Sequence, residues 1–427
     1  MSEANIGEIK PSAARFGVMA LLFIVYTFNF VDRQIIGILA VPIKTELHAS
    51  DTLMGLLGGP AFAIFYTLLG IPIAWLADRW SRTWIMTLSL AAWSLFTAAC
   101  GFASNFWQLF SARVGVGVGE AGGVAPAYSL ISDYFPPRER ARALAFYSFG
   151  IPTGSAAGVL LGGLVASAVN WRVAFIAVGL AGLAVAPFFR ALVREPKRGQ
   201  FDREVAPVKR AALLDTLRLL APKPSFWLLS IGAGFSSLVN YGVFFWTPSL
   251  LVRSFHYTLK EASVFYALIL LIGGVIGVWL GGALADWLGK QSRAAYALIP
   301  AIAFTIAAPL FALGMLSPTP FVAFVWFLAP TALALAWLGP VIAAVQHLAP
   351  ASMRSTTSAL FLFINNLLGL GLGTLVIGAL SEALQSHFGQ EALRYSMLAG
   401  AGFYLIAALF VAAAARFLGR DWHDPTD

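Results

Sequence analysis

The sequence predicts an all-α membrane protein with twelve transmembrane helices in two six-helix bundles. Three observations carry that expectation. Charge is too scarce for a water-facing surface, apolar runs of spanning length recur along the chain, and one polar stretch splits them into two matching sets of six.

Only 11% of the 427 residues are charged, while 59% are hydrophobic. A soluble domain carries about 25% charged residues, so the solvent implied here is lipid. A helix needs roughly 20 mostly apolar residues to cross a bilayer. No charge occurs from Val173 to Phe189, and none from Ala294 to Gln346. The second run is long enough for two spans, with Ser317-Pro318-Thr319-Pro320 as the turn between them. Gly, Pro and charge punctuate the chain into spans over 15–43, 52–77, 83–103, 105–133, 140–168, 172–193, 224–253, 260–286, 294–316, 319–348, 355–383 and 393–417. The first apolar run is too long for a signal peptide. The lone cysteine, Cys100, allows no disulfide framework within the chain.

Basic residues sort the connections. The even-numbered ones carry Arg79 and Arg82; Arg138, Arg140 and Arg142; Lys290 and Arg293; and Arg354. The longest, after the sixth span, carries Arg194, Lys197, Arg198, Arg203, Lys209, Arg210 and Arg218. The odd-numbered connections hold only Lys44, Arg172, Arg253, Lys260 and Arg394. The positive-inside rule then places both termini and the central loop in the cytoplasm, with a bacterial inner membrane as the expected location. This bias accounts for the net charge of +8. A nucleic-acid surface would gather its charges on one face, and here they are spread over separate loops.

The polar stretch at 194–222 is the expected cytoplasmic linker between bundles at 1–193 and 223–427. An internal repeat supports the division. Leu76-Ala77-Asp78-Arg79 follows the second span and Leu284-Ala285-Asp286-Trp287 follows the eighth, with the aspartates 208 apart (286 − 78). Pro136 precedes Arg140 as Pro350 precedes Arg354, with the prolines 214 apart (350 − 136). Matched features in one order indicate duplicated halves, and such halves around a central site are a transporter architecture.

Asp32, Arg33, Arg113 and Glu120 lie inside apolar spans. An Asp, Lys or Arg at mid-helix costs roughly 2.5–3.5 kcal/mol on an insertion scale. Such groups face the bundle interior, pair, and mark function. Arg113 and Glu120 are seven apart and share a helix face. Asp32 is placed to pair with Arg113 and Arg33 with Glu120 if the first and fourth spans pack together, with Gly115, Gly117 and Gly119 permitting close backbone approach. Asp32 and Glu120 are the candidates for exchanging a proton, and Arg33 or Arg113 for holding a phosphate or carboxylate. The second half offers neutral polar groups, Asn240, Tyr241, Gln346, Asn365 and Asn366, as cavity candidates or as interhelical hydrogen-bond formers.

Ala74-Trp75-Leu76-Ala77-Asp78-Arg79-Trp80-Ser81-Arg82 resembles the signature loop of the major facilitator superfamily, with Ala74 and Ser81 where glycine is usual. The second copy keeps Gly282 and Gly289 and has Trp287 at a usually basic place. In that superfamily these loops clasp neighbouring helices, so the resemblance implies gating roles for Asp78, Arg79 and Asp286. Asn29-Phe30-Val31-Asp32-Arg33, Arg113 to Ala121, Gly150 to Gly154 and Asn170-Trp171-Arg172 together look like the spinster-like transporters, bacterial branch. That resemblance implies lysophospholipids or sphingoid lipids as substrates. The Asp-Arg and Gly-Glu-Ala elements are also similar to anion:cation symporters for sugar acids, which makes small organic or sugar acids the alternative.

The expected partners are a small-molecule or lipid substrate, protons and membrane lipids, with the chain a monomer that binds no nucleic acid. No cofactor or metal is called for, since His48, His256, His347, His387 and His423 are scattered and no nucleophile motif occurs. An enzyme is therefore not expected, and the two gating-loop copies disfavour a channel.

Overall fold

A computed structural model describes residues 13–199, 201, 213–288, 292–350 and 353–423, and all regular structure among them is helical. The first span is α1 (Ala13–Ile38) with α2 (Ala40–Leu47), and the second is α3 (Asp51–Gly58) with α4 (Pro60–Ala77). The third is α5 (Arg82–Cys100); the fourth is α6 (Phe106–Glu120) with α7 (Val124–Tyr134). The fifth is α8 (Pro137–Ser148) with α9 (Gly150–Ala168), and the sixth is α10 (Trp171–Leu192). The linker contains a helix of its own, α11 (Leu213–Leu220). The second half follows with α12 (Pro224–Arg253), α13 (Leu259–Leu288), α14 (Ala295–Met315), α15 (Pro320–Leu333) with α16 (Leu338–Gln346), and α17 (Arg354–Phe388). A 3-10 turn at Gly389–Glu391 leads to the last span, α18 (Ala392–Ala401) with α19 (Phe403–Asp421).

Ten stretches among the described residues are long and apolar enough to cross a membrane. One of them, Thr356–Asp421, holds two antiparallel spans joined by the 3-10 turn. The remaining span is the fourth. Its two helices, α6 and α7, are each shorter than a bilayer is thick, and Arg113 and Glu120 interrupt its apolar run. Twelve spans result.

Local chemistry explains where the helices begin. Ser50, Ser81, Asn105, Asn170 and Thr319 each cap a helix by accepting from the backbone N–H three residues on, worth about 1 kcal/mol apiece. Pro60, Pro137, Pro224 and Pro320 open helices where a missing N–H costs nothing. The duplication is visible in the backbone as well. His48 and His256 end the first and seventh spans with left-handed φ of 51° and 56°. They are 208 residues apart (256 − 48), the offset that separates Asp78 from Asp286.

Connections one, three, five, seven, nine and eleven lie at one end of the bundle, here the odd-loop end. The described termini lie at the other, even-loop end. The halves meet mainly towards the odd-loop end through small residues. A Cβ on Gly55 would sit 2.5 Å from the Thr374 carbonyl oxygen, one on Gly163 2.3 Å from Ser263, and one on Gly58 2.5 Å from the Phe245 ring. Further along, Gly274 faces Pro152. Large apolar side chains such as Leu68, Phe102, Trp107, Phe188, Phe321 and Leu409 point outwards, as a lipid-facing surface requires.

Candidate functional site

The intramembrane charges gather in the first half. Asn29 and Arg33 are four apart on α1, so they share a face. Both reach Glu120, the last residue of α6: Asn29 Nδ2 donates to Oε2 at 2.7 Å and Arg33 Nε donates to the same oxygen at 2.8 Å. Glu120 is fully buried, and its Oε1 has no hydrogen-bond partner. The Arg33 guanidinium lies over Phe30, Phe62 and Tyr66 at 5.1, 4.8 and 4.6 Å from the ring centroids, a cation–π setting. Its Nη2 is buried without an acceptor.

Asp32 follows a different face of α1 into the first half, beside Trp93 and Thr97 of α5. Arg113 Nη1 donates at 3.2 Å to the backbone carbonyl of Asp32. No ion pair joins the two side chains, so the expected Asp32–Arg113 pairing is replaced by a side-chain to backbone bond. Asp32 Oδ1, Arg113 Nε, Trp93 Nε1 and Thr97 Oγ1 are all buried without partners. Buried polar groups are nearly always paired, and here these four face one another without a close hydrogen bond.

The glycines of α6 also act differently from expectation. A Cβ on Gly117 would lie 2.5 Å from the Phe62 carbonyl oxygen in α4, and one on Gly119 2.6 Å from the Trp93 backbone nitrogen in α5. Gly115 meets the Phe96 ring. These residues dock the fourth span on the second and third, while side chains bridge it to the first. Gly117→Val is expected to cost about 1–3 kcal/mol by overpacking, seen as a lowered unfolding midpoint of the purified protein. Gly17→Ala, at a site with nothing within 4 Å, is the control. Equal midpoints for the two variants would contradict the close packing.

Among the second-half candidates, Tyr241 comes closest to the cluster, beside Arg33 and Tyr66 and packed on the first half's core. Asn240 donates to the Ala334 carbonyl at 2.8 Å, and Asn365 accepts from Ser237 Oγ at 2.8 Å. Both are buried within the second half. Asn366 is half-buried. The partners Asn29 and Tyr66 were not among the expected site residues. The i,i+4 spacing from Asn29 to Arg33 is a signal that could have found the first, and no comparable signal marks Tyr66.

At the even-loop end, Asp78 caps α4, and Arg79 donates to the Trp75 carbonyl at 3.1 Å with its guanidinium 3.8 Å from that indole. Arg198 of the linker donates to the carbonyls of Ala77 and Trp80 at 2.8 and 2.6 Å, holding the loop from outside. Arg82 is almost fully buried, bound to Asp133 and, through Nε at 2.7 Å, to Glu195. Burial pushes the Glu195 carboxyl up, but the Thr83 N–H and the Arg82 and Ser81 side chains outweigh it and hold the group below the ordinary glutamate range. Asp286 lies in the last turn of α13, and its side chain, like that of Arg138, falls outside the described residues, as do Arg203, Lys209, Arg210, Gly289 and Lys290.

Comparison with known proteins supplies the family. A family model described as Major Facilitator Superfamily matches residues 22–374. The chain belongs to the major facilitator superfamily. It is similar to an MFS-type efflux pump of Mycolicibacterium smegmatis (strain ATCC 700084 / mc(2)155), with 33% identity over 406 residues, 95% of this chain and 93% of that one. It is 30% identical to human protein spinster homolog 1 over 426 residues, 94% of this chain and 80% of that one. A bacterial homolog to the human lysosomal transporter spinster, solved in an inward-facing and unoccupied conformation, matches with a TM-score of 0.88 and 32% identity over 97% of this chain and 99% of that one. This superfamily member is a spinster-like secondary transporter rather than an enzyme, as the sequence motifs implied.

Proposed function

We propose that the protein is a proton-coupled carrier of an amphipathic lipid, a lysophospholipid or sphingoid lipid, working by alternating access. The observation that carries this reading is the Arg33–Glu120 pair. The pair is buried, with Glu120 Oε1 and Arg33 Nη2 outside the bond that joins them and Tyr241 of the second half beside the guanidinium. Protonation of Glu120 removes the charge that holds Arg33. The freed guanidinium then takes a phosphate or carboxylate headgroup, for which its forked donors are suited. Asp32, facing Arg113, Trp93 and Thr97, is the second proton acceptor. The aromatic wall of Phe30, Phe62 and Tyr66 accommodates apolar substance beside the charge.

Closure at the odd-loop end and likeness to an inward-facing spinster homolog support a cycle in which the halves rock about this cluster. The basic even-numbered loops support cytoplasmic termini in a bacterial inner membrane. Asp78, Arg79 and Asp286 then sit at the cytoplasmic gate, and the protein acts as a monomer.

Labelled lysophospholipid movement in proteoliposomes, with and without an imposed proton gradient, tests the reading. Because the mycobacterial relative is described as an efflux pump, both entry and exit are followed. Gradient-dependent movement is expected. Movement of a labelled sugar acid but not of the lipid would overturn the lipid assignment in favour of a small organic anion.

A further inference from the structure

Away from the central cluster, three helix ends converge where the halves meet at the odd-loop end. Lys44 lies in the last turn of α2, Arg253 in the last turn of α12, and Asp51 in the first turn of α3. Each charge has the sign that its helix end favours. Asp51 is 7% exposed, and its carboxylate is enclosed by the partners that follow. It accepts from Lys44 Nζ at 2.6 Å, from Arg253 Nη1 and Nη2 at 2.9 and 2.8 Å, and from Ser381 Oγ at 2.8 Å. Arg253 and Ser381 belong to the second half, while Lys44 and Asp51 belong to the first. Beside this knot, the Thr52 N–H donates to Glu382 at 3.1 Å across the same boundary.

We propose that Asp51 is the closing residue of the gate at this end, a positioning residue whose release from Arg253 and Ser381 is required each time the halves part there. The packing beneath it makes the charges decisive. Gly55, Gly58 and Gly59 meet Thr374, Phe245 and Leu370 through small residues, and the Thr374 hydroxyl donates to the Gly55 carbonyl at 2.6 Å. Apolar helix faces gain little from each other in lipid, which is itself apolar. The bidentate Arg253–Asp51 pair is the strong, directional contact across the boundary. Cavities of about 560 and 380 Å³ flank it. The first is lined by Val41, Thr45 and His48, the second by His256, Ser381 and Gln385, and both reach Lys44 and Arg253. Both cavities therefore leave room for water to hydrate the cations once Asp51 lets go.

The inference rests on the rocking of the two halves and not on the substrate. It is tested on the full chain in lipid nanodiscs without substrate or pH gradient. Spin labels on Thr45→Cys and Gln385→Cys, in a Cys100→Ser background, report the distance across the odd-loop end by pulsed electron resonance. Asp51→Asn is expected to raise the long-distance population at least about fivefold, the equivalent of roughly 1 kcal/mol. Ser381→Ala, which removes one bond and no charge, should shift it the same way by less, and it serves if Asp51→Asn fails to fold. A variant with a lowered unfolding midpoint and an unmoved distance distribution would overturn the proposal, leaving Asp51 a purely structural residue. Failure of lipid transport with a widened distribution would overturn only the substrate reading.

Discussion

Glu120→Gln is expected to reduce proton-driven accumulation of substrate in proteoliposomes by at least about tenfold, which corresponds to roughly 1.4 kcal/mol. Glutamine keeps an acceptor for Asn29 Nδ2 and Arg33 Nε but carries no charge and no titrating proton. The Arg33 contact keeps a hydrogen bond from a charged donor but loses the opposite charge of the ion pair. The link between proton and headgroup is thereby cut. Exchange of labelled for unlabelled substrate across the membrane needs Arg33 but no net proton movement, so it should fall less than accumulation does. Asp32→Asn leaves the Arg33–Glu120 pair in place and is expected to give a smaller loss. Wild-type accumulation in both variants would remove these carboxylates from the coupling mechanism.

Arg82→Leu is expected to destabilise the protein by about 3–5 kcal/mol, the usual cost of stripping one partner from a buried ion pair. The Arg82 donors reach Asp133, Ser129, Glu195 and Pro196, tying the start of α5 to the end of α7 and to the segment after α10. Without them Asp133, which is 5% exposed, loses the Arg82 charge beside it. The unfolding midpoint of the purified protein measures the loss, and a midpoint like that of wild type would show that the cluster carries no stability. A pH arm follows from Glu195. Its folded carboxyl titrates below the ordinary glutamate value of about 4.3. It therefore contributes stability that is present above that value and lost as pH falls through the lower folded value. Glu195→Gln should flatten this acid-side decline. An unchanged decline would assign it to other groups.

Arg82 also shows where sequence reading stops. It was legible as one of a row of basic loop residues, and the positive-inside rule gave it a topological role. Its partners lie 51 and 113 residues further along the chain, a separation that no periodicity encodes. The Arg33–Glu120 pair was legible for a definite reason. Charges inside apolar runs are costly, so few candidates exist, and helical spacing limits how they can meet. The same reasoning failed for Asp32 and Arg113 because it counts charges and not backbone carbonyls, and the Asp32 carbonyl is what Arg113 found.

By itself the sequence determined that this chain lives in lipid, crosses it twelve times, repeats itself once and sets Asp32, Arg33, Arg113 and Glu120 inside apolar spans of its first half. Each follows from a one-dimensional quantity: run length, charge spacing or internal offset. Only the tertiary structure decided that Asn29 shares Glu120 with Arg33, that Asn240 and Asn365 are bonded within the second half, and that Asp51 joins both halves. Those outcomes depend on which helix faces meet and at what height. Small residues and the geometry of helix ends set that height, and a chain of apolar runs leaves it open until the bundles pack.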